Sequence, residues 1–332
     1  MRVLDFGRVS PLRSQTLWHA VSYGVSAGAP PTLSFARTDS PYVCVGYHRS
    51  LAEVDLDACS SAGWPVYRRM VGGGPVWLDD GQLFFQITVP ARSVSAFRTE
   101  ALRDLLTPAV TAFQAAGVDA RLDDALEIVV GDRKICGHGA GQIEDAVVVC
   151  GNLIQRFDHT AATTALRLPS AQMREDVERL MRRYVQATPI DAATFQTAAV
   201  EAYAAALGLD AVDGAPTDVE RQCVQELDAR FTDSDWLAGP QRPARAVEQV
   251  KVRAGVWVFE VSQQSTRAVI SVVDGNVERA RLIDPQLNGS TGAAERALVG
   301  RPLTAAPQAL AQFGAAGQRL SDVLALADGR SL

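Results

Sequence analysis

Residues 66–86 read VYRRMVGGGPVWLDDGQLFFQ. Arg68 and Arg69 lead into Gly72, Gly73 and Gly74, and an alternating apolar stretch follows. Glycine weakens helices and strands alike. Three in a row therefore predict a backbone that takes positive φ or lies very close to a ligand or another strand. The N–H groups of such a loop can bind phosphate or carboxylate oxygens. Adjacent strand residues point to opposite faces, so one arginine is expected to face the loop and the other to be solvated or paired. The loop has no GKS/T ending and no GxGxxG, so it is neither a Walker A loop nor a dinucleotide fingerprint.

Outward from this loop the chain alternates short strand and helix patterns. Pro11 opens a helix over 11–25. TLSFA (32–36) and YVCVGY (42–47) read as strands, and a helical stretch from about Glu53 leads into WPVYRR (64–69). VWL (76–78) and LFFQITVP (83–90) read as a strand pair turned by DDG. Helix 99–116 ends at Gly117. LEIVVGDRKICG reads as a hairpin turning at Gly131-Asp132, and AVVVCGNLIQRF (146–157) as a strand. Helices follow over 191–207, closed by Gly208, and 217–231, where Thr217 and Glu220 fit a capping box. LAGPQRPARA (237–246) reads as a linker. Beyond it, VKVRAGVWVFEVSQ and RAVISVVDGNVERARLID alternate with period two, with a hairpin at Asp274-Gly275, and short helices near 291–299 and 320–327 close the chain. The expected architecture is two α+β regions, over 1–236 and 247–332.

Composition excludes several classes. The 332-residue chain carries a formal charge of −6, which argues against general nucleic-acid binding. No apolar run reaches membrane-span length, and the N-terminus lacks a signal-peptide pattern, so a cytoplasmic protein is expected. Five cysteines at irregular spacing, without CxxC, argue against a disulfide framework or zinc site. Four scattered histidines offer no metal-ligand spacing.

Lys134 and Lys251 are the only lysines among 32 basic residues. Lysine is a compact, mobile point charge where arginine is a planar fork. Lys134 sits in GDRKICGHGAGQ (131–142), followed by Gly137, Gly139, Ala140 and Gly141. With small residues around it, its ammonium can reach a ligand and stabilise negative charge on a carboxylate, phosphoryl group or oxyanion. The alternative is an exposed hairpin lysine.

These stretches together resemble the lipoate–protein ligase A family. RRMVGGGPVWLDDGQLFFQ resembles its RRxSGGGAVxxDxGNxxFS signature, and LDDALEIVVGDRKICGHGAGQ resembles its NDIxxxGxKxSGxAxR region. CGNLIQRFD sits where the family has HGTLL, and PYVCVGYHRSLAEVD resembles its VVIGRxQNxxxEV stretch. Order and spacing match over most of 30–160, and the later segment from DWLAG through KVRAG and SVVDGNVERARL resembles the accessory domain of full-length ligases. The resemblance implies a mixed-sheet α+β catalytic domain over 1–236, of the fold shared with biotin protein ligases, a small α+β accessory domain over 247–332, and a two-step reaction. ATP and lipoate give lipoyl-AMP, and a lysine of a lipoyl carrier domain then takes the acyl group. The carrier would be a 2-oxoacid dehydrogenase acyltransferase subunit, a glycine-cleavage carrier protein or a relative, and the enzyme a monomer. By the same resemblance Arg69 and Gly72–Gly74 contact the acyl-adenylate and phosphates. Lys134 contacts carboxyl and phosphate oxygens, with Gly137 and Ala140 beside it. Asp124, or Asp123 in a competing register, takes the adenine side or Mg2+. Val71, Val76 and Trp77 line the acyl tunnel, or are plain core.

The chain departs from the family pattern at Val71, Pro75, Gln82, Cys136, His138, Cys150 and Asn152. Two alternatives stay open. Octanoyltransferases share the fold and lysine but use a cysteine nucleophile without ATP. Their two nucleophile positions match Ser170 in LRLPSAQ and the cysteine-free RLDDALE here, leaving only Cys136 and Cys150 as candidates. A non-catalytic protein that binds lipoate or a lipoylated carrier is the other. A biotin ligase lacks support because GRGRxGR is absent.

Overall fold

A computed structural model describes residues 1–240 and 247–328. The linker expected at 237–246 lies outside the described residues from 241 onward. The described residues form two compact units, 1–167 with 186–240, and 168–185 with 247–328.

The first unit is built on a six-stranded mixed sheet. Its strands run in the order His138–Ile143, Ala146–Ile154, Gln82–Pro90, Thr32–Thr38, Arg2–Val9 and Val212–Asp213. The last three pair in parallel and the others antiparallel. Gln82–Pro90 is buried along its whole length. Its Leu83, Phe85, Ile87 and Val89 share one face and meet Phe113 and Phe195 from helices Arg98–Ala115 and Ala192–Leu207. Helix Pro11–Ser26 starts at a Ser10 cap, with Pro11 in the first turn, where its missing N–H costs nothing. It packs against helix Asp218–Thr232, whose Thr217–Glu220 capping box forms as expected. Glu220 also pairs with buried Arg2, tying that helix to the first strand. Gly208 ends its helix at φ +63°, a conformation that favours glycine.

Two small sheets complete this unit. Tyr42–Val45 lies between Val66–Arg68 and Val76–Leu78, and Ile128–Val130 lies between Arg121–Leu122 and Arg133–Cys136. The hairpin at Gly131-Asp132 forms. The expected pairing of VWL with LFFQITVP does not. Val76–Leu78 pairs with Tyr42–Cys44, whereas Gln82–Pro90 enters the large sheet. The turn between them is pinned elsewhere, because Gln155 and Arg156 donate backbone N–H groups to Gly81 O at 2.9 and 3.1 Å. Gly81 also packs so closely that a Cβ there would lie 2.9 Å from Arg156 O.

The second unit has a four-stranded antiparallel sheet, Val247–Arg253, Val256–Gln263, Thr266–Val273 and Asn276–Ile283. Phe259, Ile270, Val272 and Leu282 face the C-terminal helices. The opposite face carries helix Ala171–Tyr184, a segment that the sequence reading counted with 1–236 and left without an element. Asp176 interrupts its apolar stripe, which hid the pattern. Its buried carboxylate is met by Arg279 at 2.9 Å, Arg179 at 3.3 Å and Arg281 at 3.5 Å. Among the described residues no helix is long and apolar enough to cross a membrane.

Candidate active site

The glycine loop leaves strand Val66–Arg68 and is held from behind by buried cations and one imidazole. Arg68 is 1% exposed. Its guanidinium donates to the carbonyls of Gly46, Tyr47 and Arg49 at 2.8–3.1 Å, and to those of Leu237 and Ala238 at 3.0 and 3.1 Å. Where the sequence suggests a solvated or paired arginine, Arg68 is instead bound to backbone carbonyls. Arg69 donates to Cys44 O at 2.9 Å, twice to Gly72 O at 3.1 and 2.7 Å, and to Gly74 O at 2.9 Å. That occupies all but one of the N–H donors a guanidinium has. Gly73 has φ +97°, and a Cβ there would lie 2.6 Å from Arg69 Nη2. Gly46 is equally constrained, since its Cβ would sit 2.0 Å from Gly73 O. The glycines thus allow the loop to wrap Arg69.

His19, one of the four scattered histidines, bridges into this loop. Its Nε2 accepts the Met70 N–H at 3.0 Å, so Nδ1 carries the proton and donates to Gln15 O at 2.7 Å. Burial drives its pKa from 6.5 down to about 3, keeping the ring neutral.

Lys134 lies on Arg133–Cys136, opposite Val129 and next to a register shift. Its Nζ is 2.9 Å from Glu127 Oε1, with side chains 19% and 7% exposed. The sequence reading did not single out Glu127. Asp123 Oδ1 accepts the N–H groups of Ala125 and Glu127 at 3.0 and 2.8 Å and shapes the turn before it. Asp124 is exposed on that same turn.

Strand His138–Ile143 receives the glycine loop. A Cβ on Gly141 would meet Val71 Cγ1 at 2.8 Å, and one on Gly139 would lie 3.5 Å from Gly72 O. Small residues here make room for Val71 and Gly72. Val71 is buried with Trp18, Ile143 and Val148. Trp77 is buried against Trp64, ring centroids 4.2 Å apart, while Val76 keeps 38% exposure. Ala140 packs against the main core. Gly137 donates its N–H to Asn152 Oδ1 at 2.6 Å.

Thiol chemistry finds little support. Burial pushes Cys136 up to about 12 and Cys59 to about 11, and raises Cys44, Cys150 and Cys223. A nucleophilic cysteine needs the opposite shift. Ser170 caps helix Ala171–Tyr184, accepting from Met173 N and donating to Glu260. Among the described residues no group of three or more His, Cys, Asp or Glu converges as a metal site.

The model of the lipoyl protein ligase A/B catalytic domain matches residues 15–204. The chain belongs to this family. Among similar members, an octanoyltransferase LipM of Kyrpidia tusciae is 26% identical, covering 71% of this chain and 97% of the relative. A lipoate-protein ligase A subunit 1 of Thermoplasma acidophilum is 24% identical over 70% of this chain and 92% of its own. In solved structures, the bipartite lipoate protein ligase of Thermoplasma acidophilum aligns with TM-score 0.66 at 24% identity, over 73% of this chain and 98% of that one. LipL1 of P. falciparum aligns with TM-score 0.56 at 12% identity, over 98% of this chain and 99% of its own. The α+β lipoyl ligase fold, with a mixed sheet and a C-terminal sheet domain, therefore describes this family member.

Proposed function

We propose that this family member is an ATP-dependent lipoate–protein ligase, which forms lipoyl-AMP and passes the acyl group to a lysine of a lipoyl carrier domain. The observation that carries this reading is the contrast between its thiols and Lys134. The thiols are held protonated by burial, whereas Lys134 keeps a partly exposed ammonium beside Glu127. Without an activated thiol, the acyl group needs activation as a mixed anhydride with AMP. In that reaction positioning and charge stabilisation do most of the work. Lys134 would bind the lipoate carboxylate and the α-phosphate. The Gly72–Gly74 backbone would approach the acyl-adenylate, with Arg69 shaping the loop from behind. Val76 would contact the acyl chain, with Val71 and Trp77 behind it as packing and Gly137 and Ala140 flanking Lys134. Mg2+ commonly takes one or two carboxylates plus substrate phosphates. A single exposed carboxylate on the turn beside Lys134's partner fits that pattern, and Asp124 would supply it, the metal adding charge neutralisation to the bound triphosphate.

Octanoyl transfer between carriers without ATP is the second reading, favoured by the similarity to octanoyltransferase LipM proteins. Intact-mass analysis of an apo lipoyl domain separates the two. The ligase reading expects modification from free lipoate only with ATP and Mg2+. Modification from an octanoylated carrier without nucleotide, lost in Cys136→Ala or Cys150→Ala, would replace it.

A further inference from the structure

Gln82 and Asn152 are both buried amides, at 0% and 8% exposure, and neither faces solvent. They lie on adjacent antiparallel strands, where Gln82 pairs with Ile154 and Asn152 with Phe84. That offset of two residues makes them diagonal neighbours on one face. Their hydrogen bonds form a single directional run. The Gly137 N–H donates to Asn152 Oδ1 at 2.6 Å, and Asn152 Nδ2 donates to Gln82 Oε1 at 2.7 Å. Gln82 Nε2 then donates to Asp79 Oδ1 at 3.2 Å and Trp77 O at 3.3 Å. The direction is forced at both ends. Gly137 N–H can only donate, and the Asp79 carboxylate and Trp77 carbonyl can only accept. Each amide must therefore point its oxygen toward Gly137 and its nitrogen toward Asp79.

We propose that Gln82 and Asn152 are a coupled pair of positioning residues that lock the Gly137 backbone, and with it the end of the Lys134 strand, to the Trp77–Asp79 end of the segment that follows the glycine loop. This rests on the ligase reading for its kinetic part only. The run joins the two segments that carry the candidate chemistry across one end of the paired strands Gln82–Pro90 and Ala146–Ile154. Removing either amide leaves buried donors and acceptors without partners, which costs more than the bond itself. Neither side chain needs to touch substrate for this role. Both residues are among the positions where the chain departs from the family pattern, and they meet each other directly.

The test is Gln82→Ala, Asn152→Ala and the double variant, read two ways. The first is the Gly137 amide proton resonance in the ligand-free protein. The second is the KM for lipoate in ATP–pyrophosphate exchange. Each single variant is expected to move the Gly137 resonance upfield and to raise KM about tenfold, the effect of one net hydrogen bond. A smaller change is expected in kcat, and the double variant should be no worse than the poorer single. Packing alone would leave the Gly137 resonance unmoved by Gln82→Ala, which reaches Gly137 only through Asn152. An unmoved resonance, multiplying KM effects, or an unchanged KM with a shifted resonance each overturns the proposal. If an alanine variant does not fold, Gln82→Asn shortens the amide by one methylene and is read in the same way. Absence of exchange in the wild-type protein would sink the ligase reading, while the resonance would still decide whether the pair is coupled.

Discussion

Between Arg68 and Gly74 the polar side chains turn inward. Arg68 and Arg69 donate to eight backbone carbonyls, those of Gly46, Tyr47, Arg49, Leu237 and Ala238 for Arg68 and of Cys44, Gly72 and Gly74 for Arg69. Between Glu127 and Gly137 the arrangement is the reverse. Lys134 meets one carboxylate and keeps part of its surface toward solvent. Both regions are cationic, yet the first uses charge to fix backbone and the second keeps charge where a ligand can reach it. A basic residue next to a glycine loop is therefore not by itself a ligand contact. What separates the roles is the number of protein acceptors that surround the cation.

That contrast breaks most easily at Arg68. Arg68→Met takes the guanidinium donors away from five buried or part-buried carbonyls, with Gly46 O keeping the Arg49 N–H, and the expected loss is about 3 kcal/mol or more of stability, measured by denaturant unfolding. Lys134→Ala removes one ion-pair partner from Glu127 and should cost less stability than Arg68→Met, while lowering adenylation about 100-fold or more, the usual effect of removing one charge-stabilising donor. A Lys134→Ala protein that is strongly destabilised would place this lysine with the scaffold cations instead.

A third test uses pH. His19 is held neutral by burial, with the Gln15 carbonyl raising and Arg69 lowering its proton affinity. Its native pKa lies near 3 and its unfolded value near 6.5, so below about 6.5 the unfolded chain binds the extra proton. Its contribution to stability is therefore complete above about 6.5 and falls as pH drops toward 3. The slope is at most about 1.4 kcal/mol per pH unit. His19→Gln should flatten that acid limb by one proton relative to wild type. The smallest effect is expected at Cys150→Ala, which should change adenylation less than twofold, because a protonated, largely packed thiol acts as a small apolar group.

Much of this was legible in the residues and some was not. Turn chemistry spoke clearly: Gly208, Asp274-Gly275 and the Thr217–Glu220 box act locally, and each stands where it was expected. VWL and LFFQITVP misled because pairing is decided by which strand lies alongside, and Tyr42–Val45 outcompetes the nearer sequence neighbour. Helix Ala171–Tyr184 was missed because Asp176, buried among arginines from another strand, reads as a break in an apolar stripe. At the site, the glycines and Lys134 stood out by composition. Glu127, His19, Gln82 and Asn152 did not, since Glu127 meets Lys134 across a hairpin whose register shifts and the others act through partners distant in sequence. The one available signal was the pairing of departures at Gln82 and Asn152.

The central claim is that this chain activates an acyl group through adenylation around Lys134. Lipoate-dependent ATP–pyrophosphate exchange tests it most directly, run on wild type and Lys134→Ala side by side. The account expects exchange that requires lipoate and falls about 100-fold or more in the folded variant. Folded wild-type protein that shows no exchange with lipoate or octanoate, or a Lys134→Ala variant that exchanges as well as wild type, would contradict it.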